Sequence, residues 1–509
     1  VNAARARRLA ALLGLAATAC TPLGPDFREP APDWLAQWQP ALYQQVDIVP
    51  GAKADALANW WQRFDDPVLN ALIASARSEN PGLRIAGLRI LEARALQGIA
   101  TGLQYPQVQQ INASAAYARQ ENHGGALDRS SEVSTADASF DIGWEMDFWG
   151  RFRRGVESAD AAYFASVTNQ RDVQVLLTSQ VASLYYGYKT TLQRIELARR
   201  NEALQKRSFE ITEKLFNSGQ DSELDLQQAR AQYLATRATI PALQQALTQQ
   251  RNALCALLGR PPGPLAELQD VNSDLPVPHT ISSNTLPAAL LARRPDVRSA
   301  AWQAAAQSAQ IGIAEADLYP SLSLVGTLGW SGNSLDSVGD VSTLAGGPAL
   351  SWNIFNYGRI RNNVRVQDAR LEQALENYRN TVLGAAREID DAASQIATTA
   401  ESQGILDESV AAAERSLAIA TRRYSEGYSD FQRVLDAQAA TFAQTDRATV
   451  NRGNHVAAII NLYKALGGGW QQSDINTLLP AATRERMGER SNWGDLLEAP
   501  LPQPEEEQP

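Results

Sequence analysis

Few residues in this chain are placed to do covalent chemistry. The three histidines, His123, His279 and His455, stand far apart, and no Cys/His group has the spacing a metal ion needs. Gly467 to Gly469 end a helical stretch instead of following a strand, so they form no phosphate loop. Adjacent carboxylates such as Asp390-Asp391 lie in a helical stretch and read as solvated. With no nucleophile–base pair and no metal set, the expectation is a protein that is not an enzyme and holds no cofactor. Cys20 is the exception. Arg5, Arg7 and Arg8 precede an apolar run, Leu9 to Ala17, that leads into Thr18-Ala19-Cys20, the pattern of a signal peptide over residues 1–19. The small residues before Cys20 resemble a bacterial lipobox, with Ala17 where Leu is more usual, and would make its thiol a lipid acceptor. Thr21 is not the Asp that would retain a lipoprotein in the inner membrane, which points to the outer one. The alternative is an ordinary signal peptide with an incidental cysteine. The other cysteine, Cys255, sits in the apolar run Leu254 to Leu258 and reads as a small buried hydrophobe.

The elements that would carry any function come in duplicate. Asn80-Pro81 is matched by Arg294-Pro295, and Tyr105-Pro106 by Tyr319-Pro320, both at an offset of 214. Phe148 to Arg151 answers Asn356 to Arg359, Gly219 answers Gly427, and Leu254 to Gly259 answers Leu462 to Gly467, all at 208. The second copy is six residues shorter between its Tyr-Pro and its aromatic-Gly-Arg, as a loop-length difference would make it. The layout expected is an N-terminal segment over 20–79, one repeat over 80–259, a proline-rich linker over 260–293, a second repeat over 294–467 and a C-terminal segment over 468–509, with a disordered Pro/Glu tail from Pro500. The net charge of −10, with no basic block beyond the N-terminus, argues against nucleic acid as a partner.

Within each repeat a strand pair precedes long helices. Ala136, Ala138, Phe140, Ile142, Trp144, Met146 and Phe148 alternate with Asp137, Ser139, Asp141, Gly143, Glu145 and Asp147. One face is apolar and the other acidic, the period-two pattern of a tilted strand between lipid and water. Ile111, Ala113, Ala115 and Tyr117 make a weaker partner strand. In the second repeat Leu322, Leu324, Leu328 and Trp330, then Leu350, Trp352 and Ile354, repeat the design. The pairs are expected over about 107–148 and 320–356. Four strands cannot close a barrel, and open edges in lipid would leave backbone groups unpaired, so several chains must share one barrel; three would give twelve strands. The soluble alternative is a small two-sided sheet in a periplasmic domain.

From Arg151 to about Asn217 and from Arg359 to about Glu426 no proline intervenes, so each stretch can be one helix of about 65 residues, close to 100 Å long. Gly219 and Gly427 suit left-handed C-caps. Helices then return from about Ser222 to Leu258, with a kink expected at Pro241, and from Asp430 to Leu466. The fold class is therefore mainly α with a membrane β-barrel: two tandem repeats of long antiparallel coiled helices, with four strands per chain.

Trp60-Trp61 with Phe64, Asp66-Pro67 and Leu69, then Arg293 to Arg298, Ile311-Gly312 and Ala314, Tyr319-Pro320 and Leu435-Asp436-Ala437-Gln438 resemble the TolC-like outer-membrane factors, lipoprotein branch. The resemblance spans nearly the whole mature chain. It implies a homotrimer with a twelve-stranded barrel continued by an α-helical tunnel, N-palmitoyl and S-diacylglycerol lipid on Cys20, and an outer-membrane exit duct reaching into the periplasm. Its partners would be a periplasmic adaptor and an inner-membrane transporter, often of the resistance-nodulation-division class. It further implies a gate at the periplasmic end. There Asp225 and Tyr424 match a pair whose hydrogen bond ties neighbouring hairpins, Asp436 matches a member of an acidic ring, and the tips at Gly219 and Gly427 meet the adaptor. Arg433 departs from the family, where that position is acidic or small and polar, and could pair with Asp436 one turn on. Protein export is an alternative cargo, and a non-conducting periplasmic scaffold is the competing class.

Overall fold

The computed structural model describes residues 22–30, 34, 38, 57–122, 129–269, 271–276 and 291–502. Residues 1–19, Cys20, part of the linker expected over 260–293 and the tail from residue 503 lie outside the described residues. The first repeat runs α1 (Pro67–Glu79), α2 (Pro81–Gly102), β1 (Val108–Asn122), β2 (Arg129–Glu145), α3 (Arg151–Asn217) and α4 (Glu223–Leu257). The second runs α5 (Pro295–Ala316), β3 (Ser321–Gly332), β4 (Val341–Ser351), α6 (Arg359–Ser425) and α7 (Phe431–Ala465). Two short helices, α8 (Ile475–Leu478) and α9 (Ala481–Arg490), follow.

Helices α3 and α6 are each 67 residues, about 100 Å at 1.5 Å per residue. Each starts after a glycine at positive φ, Gly150 at 77° and Gly358 at 82°. Each stops the same way. Past α3 the Gln220 N–H reaches back to the Leu215 carbonyl (2.9 Å), and past α6 the Tyr428 N–H reaches the Arg423 carbonyl (2.8 Å). These six-to-one closures need a left-handed residue just before the closing N–H, and Gly219 (φ 74°) and Gly427 (φ 77°) supply it without a Cβ penalty. The return helix α4 runs on through Pro241.

The duplication extends to single bonds. Asn80, before α2, donates its Nδ2 to the Leu257 carbonyl at the end of α4 (2.8 Å). Arg294, before α5, donates its Nη1 to the Ala465 carbonyl at the end of α7 (2.7 Å). In both repeats the residue before a proline thus receives the end of the returning helix, whose last carbonyls have no intrahelical partner. Arg294 is buried and also holds Asp296 (2.7 Å) and Glu388 (3.1 Å), while Lys464 meets Glu388 at 3.3 Å.

The largest core lies around these joints. Trp60 is fully buried, stacks on Tyr463 with centroids 4.9 Å apart, and meets Phe64 edge-on at 5.9 Å. Asp66 caps α1 through the Val68 N–H (3.0 Å) and accepts from Tyr185 Oη (2.9 Å) and Lys189 Nζ (3.3 Å), so the α1 cap is also an anchor on α3. One antiparallel sheet, in the order β1-β2-β3-β4, stands at the far end of α2, α3, α5 and α6.

Candidate functional site

The sheet's register sorts its side chains into rows. Ile111, Phe140, Leu328 and Leu344 face one another across all four strands, and the next row along β2 holds Asp141 opposite Gln110 and Thr327. On the wet face Asp141 accepts from Asn112 Nδ2 (2.7 Å) and Ser139 Oγ (2.9 Å), and Asp137 accepts from Ser114 Oγ (3.2 Å). On the other face Ile111 is 80% and Leu344 84% exposed, an apolar band with nothing in the described part of this chain to cover it. Where the band meets the helices, Trp144 Nε1 donates to the Gln104 carbonyl (3.2 Å) and Trp352 Nε1 to that of Leu318 (3.0 Å). These two bonds are repeat-related and place indoles where a membrane interface would favour them. No helix among the described residues is long and apolar enough to cross a membrane.

Beside this boundary the segment that follows Cys20 is pinned down. The Leu23 N–H donates to the Trp149 carbonyl (3.0 Å), and the buried Arg154 donates to the carbonyls of Leu23 (2.9 Å) and Gly24 (3.1 Å) and pairs with Asp26 (2.8 Å). Gly24, at φ 83°, lies so close to Gly312 that a Cβ on it would sit 2.5 Å from the Gly312 Cα. A Cβ on Gly150 would likewise sit 2.5 Å from Pro22. Two positions past Cys20, then, the chain is packed against the strand-to-helix junction. Cys20 itself lies outside the described residues. Cys255 is buried.

At the opposite end are the hairpin tips. Phe431, Val434 and Leu435 of α7 pack with Ala229 of α4, and Phe209, Leu417 and Tyr424 close over them. Asp225, in the first turn of α4, is half-buried, and both its N–H (3.2 Å) and its carboxylate (2.6 Å) bond to the Ser222 hydroxyl. Burial first, then the hydrogen bond and charge of Asp225, hold Asp221 above the usual carboxylate range. Tyr424, in the last turn of α6, is half-buried with its ring 5.0 Å from Phe431. Its phenol is pushed up by burial and then by the charges of Asp221 and Asp225. Asp225 and Tyr424 are thus brought together electrostatically, and within this chain the hydrogen bond of the Asp225 carboxylate goes to Ser222 and not to Tyr424. Asp436 is exposed on α7 and accepts from Gln432 Nε2 (2.9 Å); it is not paired with Arg433, also exposed. Gly219 and Gly427 stand at the bare ends of the tips, with nothing near the site of a Cβ. The roles of Arg154, Ser222, Asp221 and the Asp66 anchor are not legible in the sequence. Of these Asp66 carries a local signal, its position before Pro67, and Ser222 another, the acid three residues on at Asp225.

A sheet with one exposed apolar face, continued by helices about 100 Å long, defines an outer-membrane channel with a helical duct. The family described as "Outer membrane efflux protein" matches residues 72–260 and 286–468. The chain is 32% identical over 469 residues to the cation efflux system protein CusC of Escherichia coli O157:H7, covering 90% of this chain and 98% of that one. It is 30% identical over 471 residues to the toluene efflux pump outer membrane protein TtgF of Pseudomonas putida, covering 91% and 96%. Among solved structures, the outer-membrane channel OprN superposes with a TM-score of 0.78 at 32% identity, over 88% of this chain and 99% of that chain. The chain belongs to the outer membrane efflux protein family. It is an efflux exit channel of the Gram-negative outer membrane that extends into the periplasm.

Proposed function

We propose that three copies of this chain close one barrel and one duct, and that the duct passively conducts small molecules delivered by an inner-membrane pump through a periplasmic adaptor. The observation that carries this reading is the sheet with two open edges, β1 and β4, and an uncovered apolar face. In lipid each unpaired backbone group costs several kcal/mol, and pairing β4 of one protomer with β1 of the next removes both edges. Three such joints make twelve strands, an even number within the range of membrane barrels. The pump is of the resistance-nodulation-division class, and the protein does no chemistry of its own.

Lipid on Cys20 fits the strap from Pro22 to Asp26, which ends beside the aromatic boundary of the sheet where an acyl chain would enter the membrane. In this reading each repeat, 80–259 and 294–467, contributes one strand pair and one helical hairpin. The tips form the gate: Asp221 and Asp225 lean on Tyr424 of the other hairpin, Asp436 faces the axis, and the bare ends at Gly219 and Gly427 receive the adaptor.

Edge pairing is tested by cysteine pairs, one on β1 and one on β4 of the same chain, moved along the strands in turn and oxidised in outer membranes. Native Cys255 is buried and Cys20 is acylated in this account, so the background is low. A ladder of covalent dimers and trimers from one register of β1–β4 positions is the expected result; cross-links that never join β1 to β4 would rule the shared barrel out.

A further inference from the structure

Arg433 sets the charge at the mouth of the duct. At the 208-residue offset it is the counterpart of Asp225, so the two hairpins of one chain carry opposite charges at the same place on their tips. The buried side of α7 near the tip is Phe431, Val434, Leu435, Ala437 and Gln438. The exposed stripe opposite is Arg433, Asp436, Ala440, Ala443 and Arg447, at helical spacings of three and four. Other charges of α7 are engaged sideways: Asp446 holds Arg194 of α3 (2.7 Å) and Arg452 holds Asp407 of α6 (2.9 Å). On the stripe, Asp436 bonds to Gln432, and among the described residues neither Arg433 nor Arg447 has a carboxylate within ion-pairing distance. At the other tip Asp225 is engaged by Ser222.

We infer that Arg433 is a specificity-determining residue that makes the entrance of this duct unselective or anion-preferring, so that solutes bearing carboxylate, sulfate or phosphate enter at least as readily as cations. The inference rests on the proposed reading that the exposed stripe of α7 faces the axis. Arg433 lies three residues nearer the tip than Asp436, about 4.5 Å along the helix, so a solute entering from the periplasm meets three guanidiniums before three carboxylates. A ring of one sign in a narrow aperture raises the local concentration of counter-ions, and rings of Arg or Lys serve anion pores as rings of Asp or Glu serve cation pores.

The test is the reversal potential of many inserted channels of the full chain in a planar bilayer under a KCl gradient. The unaltered protein is expected to pass chloride at least as well as potassium. Arg433→Glu is expected to raise the potassium-to-chloride permeability ratio by roughly fivefold or more, with Arg433→Gln between. Asp436→Asn should move the ratio the other way. A cation-selective unaltered channel, or a ratio unmoved by Arg433→Gln, would overturn the inference, and that milder variant keeps the test decisive if the glutamate disturbs assembly. Gating is read separately, as the size of the conductance. Failure of selectivity with a responsive gate sinks only the role of Arg433; failure of both sinks the axial placement of α7.

Discussion

Asp172 shows how a single side chain can report on the joint between the repeats. Burial first, then the neighbouring charge of Asp296, push its carboxyl up to about 6, with Glu388 adding to the rise and Arg294 and Lys464 opposing it. The folded chain therefore binds this proton more tightly than the unfolded chain. The resulting stabilisation is fully present below the ordinary carboxylate range and is lost as pH rises through about 6. Asp172→Asn is accordingly expected to stabilise the protein at pH 8, by up to ~3 kcal/mol, and to give no advantage near pH 4, as read from thermal unfolding at both pH values. The strap makes a second case. Arg154→Ala removes the bonds to Leu23, Gly24 and Asp26, and residues 22–30 should become sensitive to limited proteolysis while the helical content is unchanged. Neither role could be found from sequence: Arg154 has Glu157 beside it, but the strap it holds, like the charges around Asp172, lies more than a hundred positions away. Asp225, Tyr424 and Asp436 are expected at the gate through family resemblance alone, and the Ser222 bond to Asp225 depends on the local shape of a cap.

The elements were legible because their ends are chemically marked. Gly219 and Gly427 sit where left-handed closures are needed, and Pro67, Pro81 and Pro295 occupy first turns, where the missing N–H is no loss. The alternation around Phe140 likewise announced β2. It gave less for β1, read only from Ile111 to Tyr117, whereas the strand runs from Val108 to Asn122 because β2 pairs with it along its whole length. Register was out of reach, being set by pairing across the fold. It now separates two substitutions of equal chemistry. Phe140→Lys places a charge in the apolar row and should cost about 2–4 kcal/mol of barrel stability, whereas Gln110→Lys, on the wet row opposite Asp141, should be tolerated. Heat-resistant oligomer recovered from outer membranes measures both: lost in the first variant, retained in the second.

At the scale of the molecule, doubling explains how so long a duct is built from one chain. Each repeat brings a strand pair to the membrane end and a hairpin to the other, and the joints at Asn80 and Arg294 fix both copies alike. The alternating stretches around Ile111, Phe140, Leu328 and Leu350 amount to four strands, too few to close a barrel, and that shortfall alone makes a shared barrel the expectation. The charge at the tips, where one repeat offers Asp225 and the other Arg433, gains its meaning only from the side that α7 buries. The central claim, a conducting duct gated at its hairpin tips, is tested most directly by single-channel conductance of the purified protein in a planar bilayer, with and without the paired substitution Asp225→Ala, Asp436→Ala. The account predicts a small conductance that rises markedly in the variant. No conductance from a folded, membrane-inserted oligomer would contradict the duct, and a large conductance unchanged by the substitution would contradict the gate.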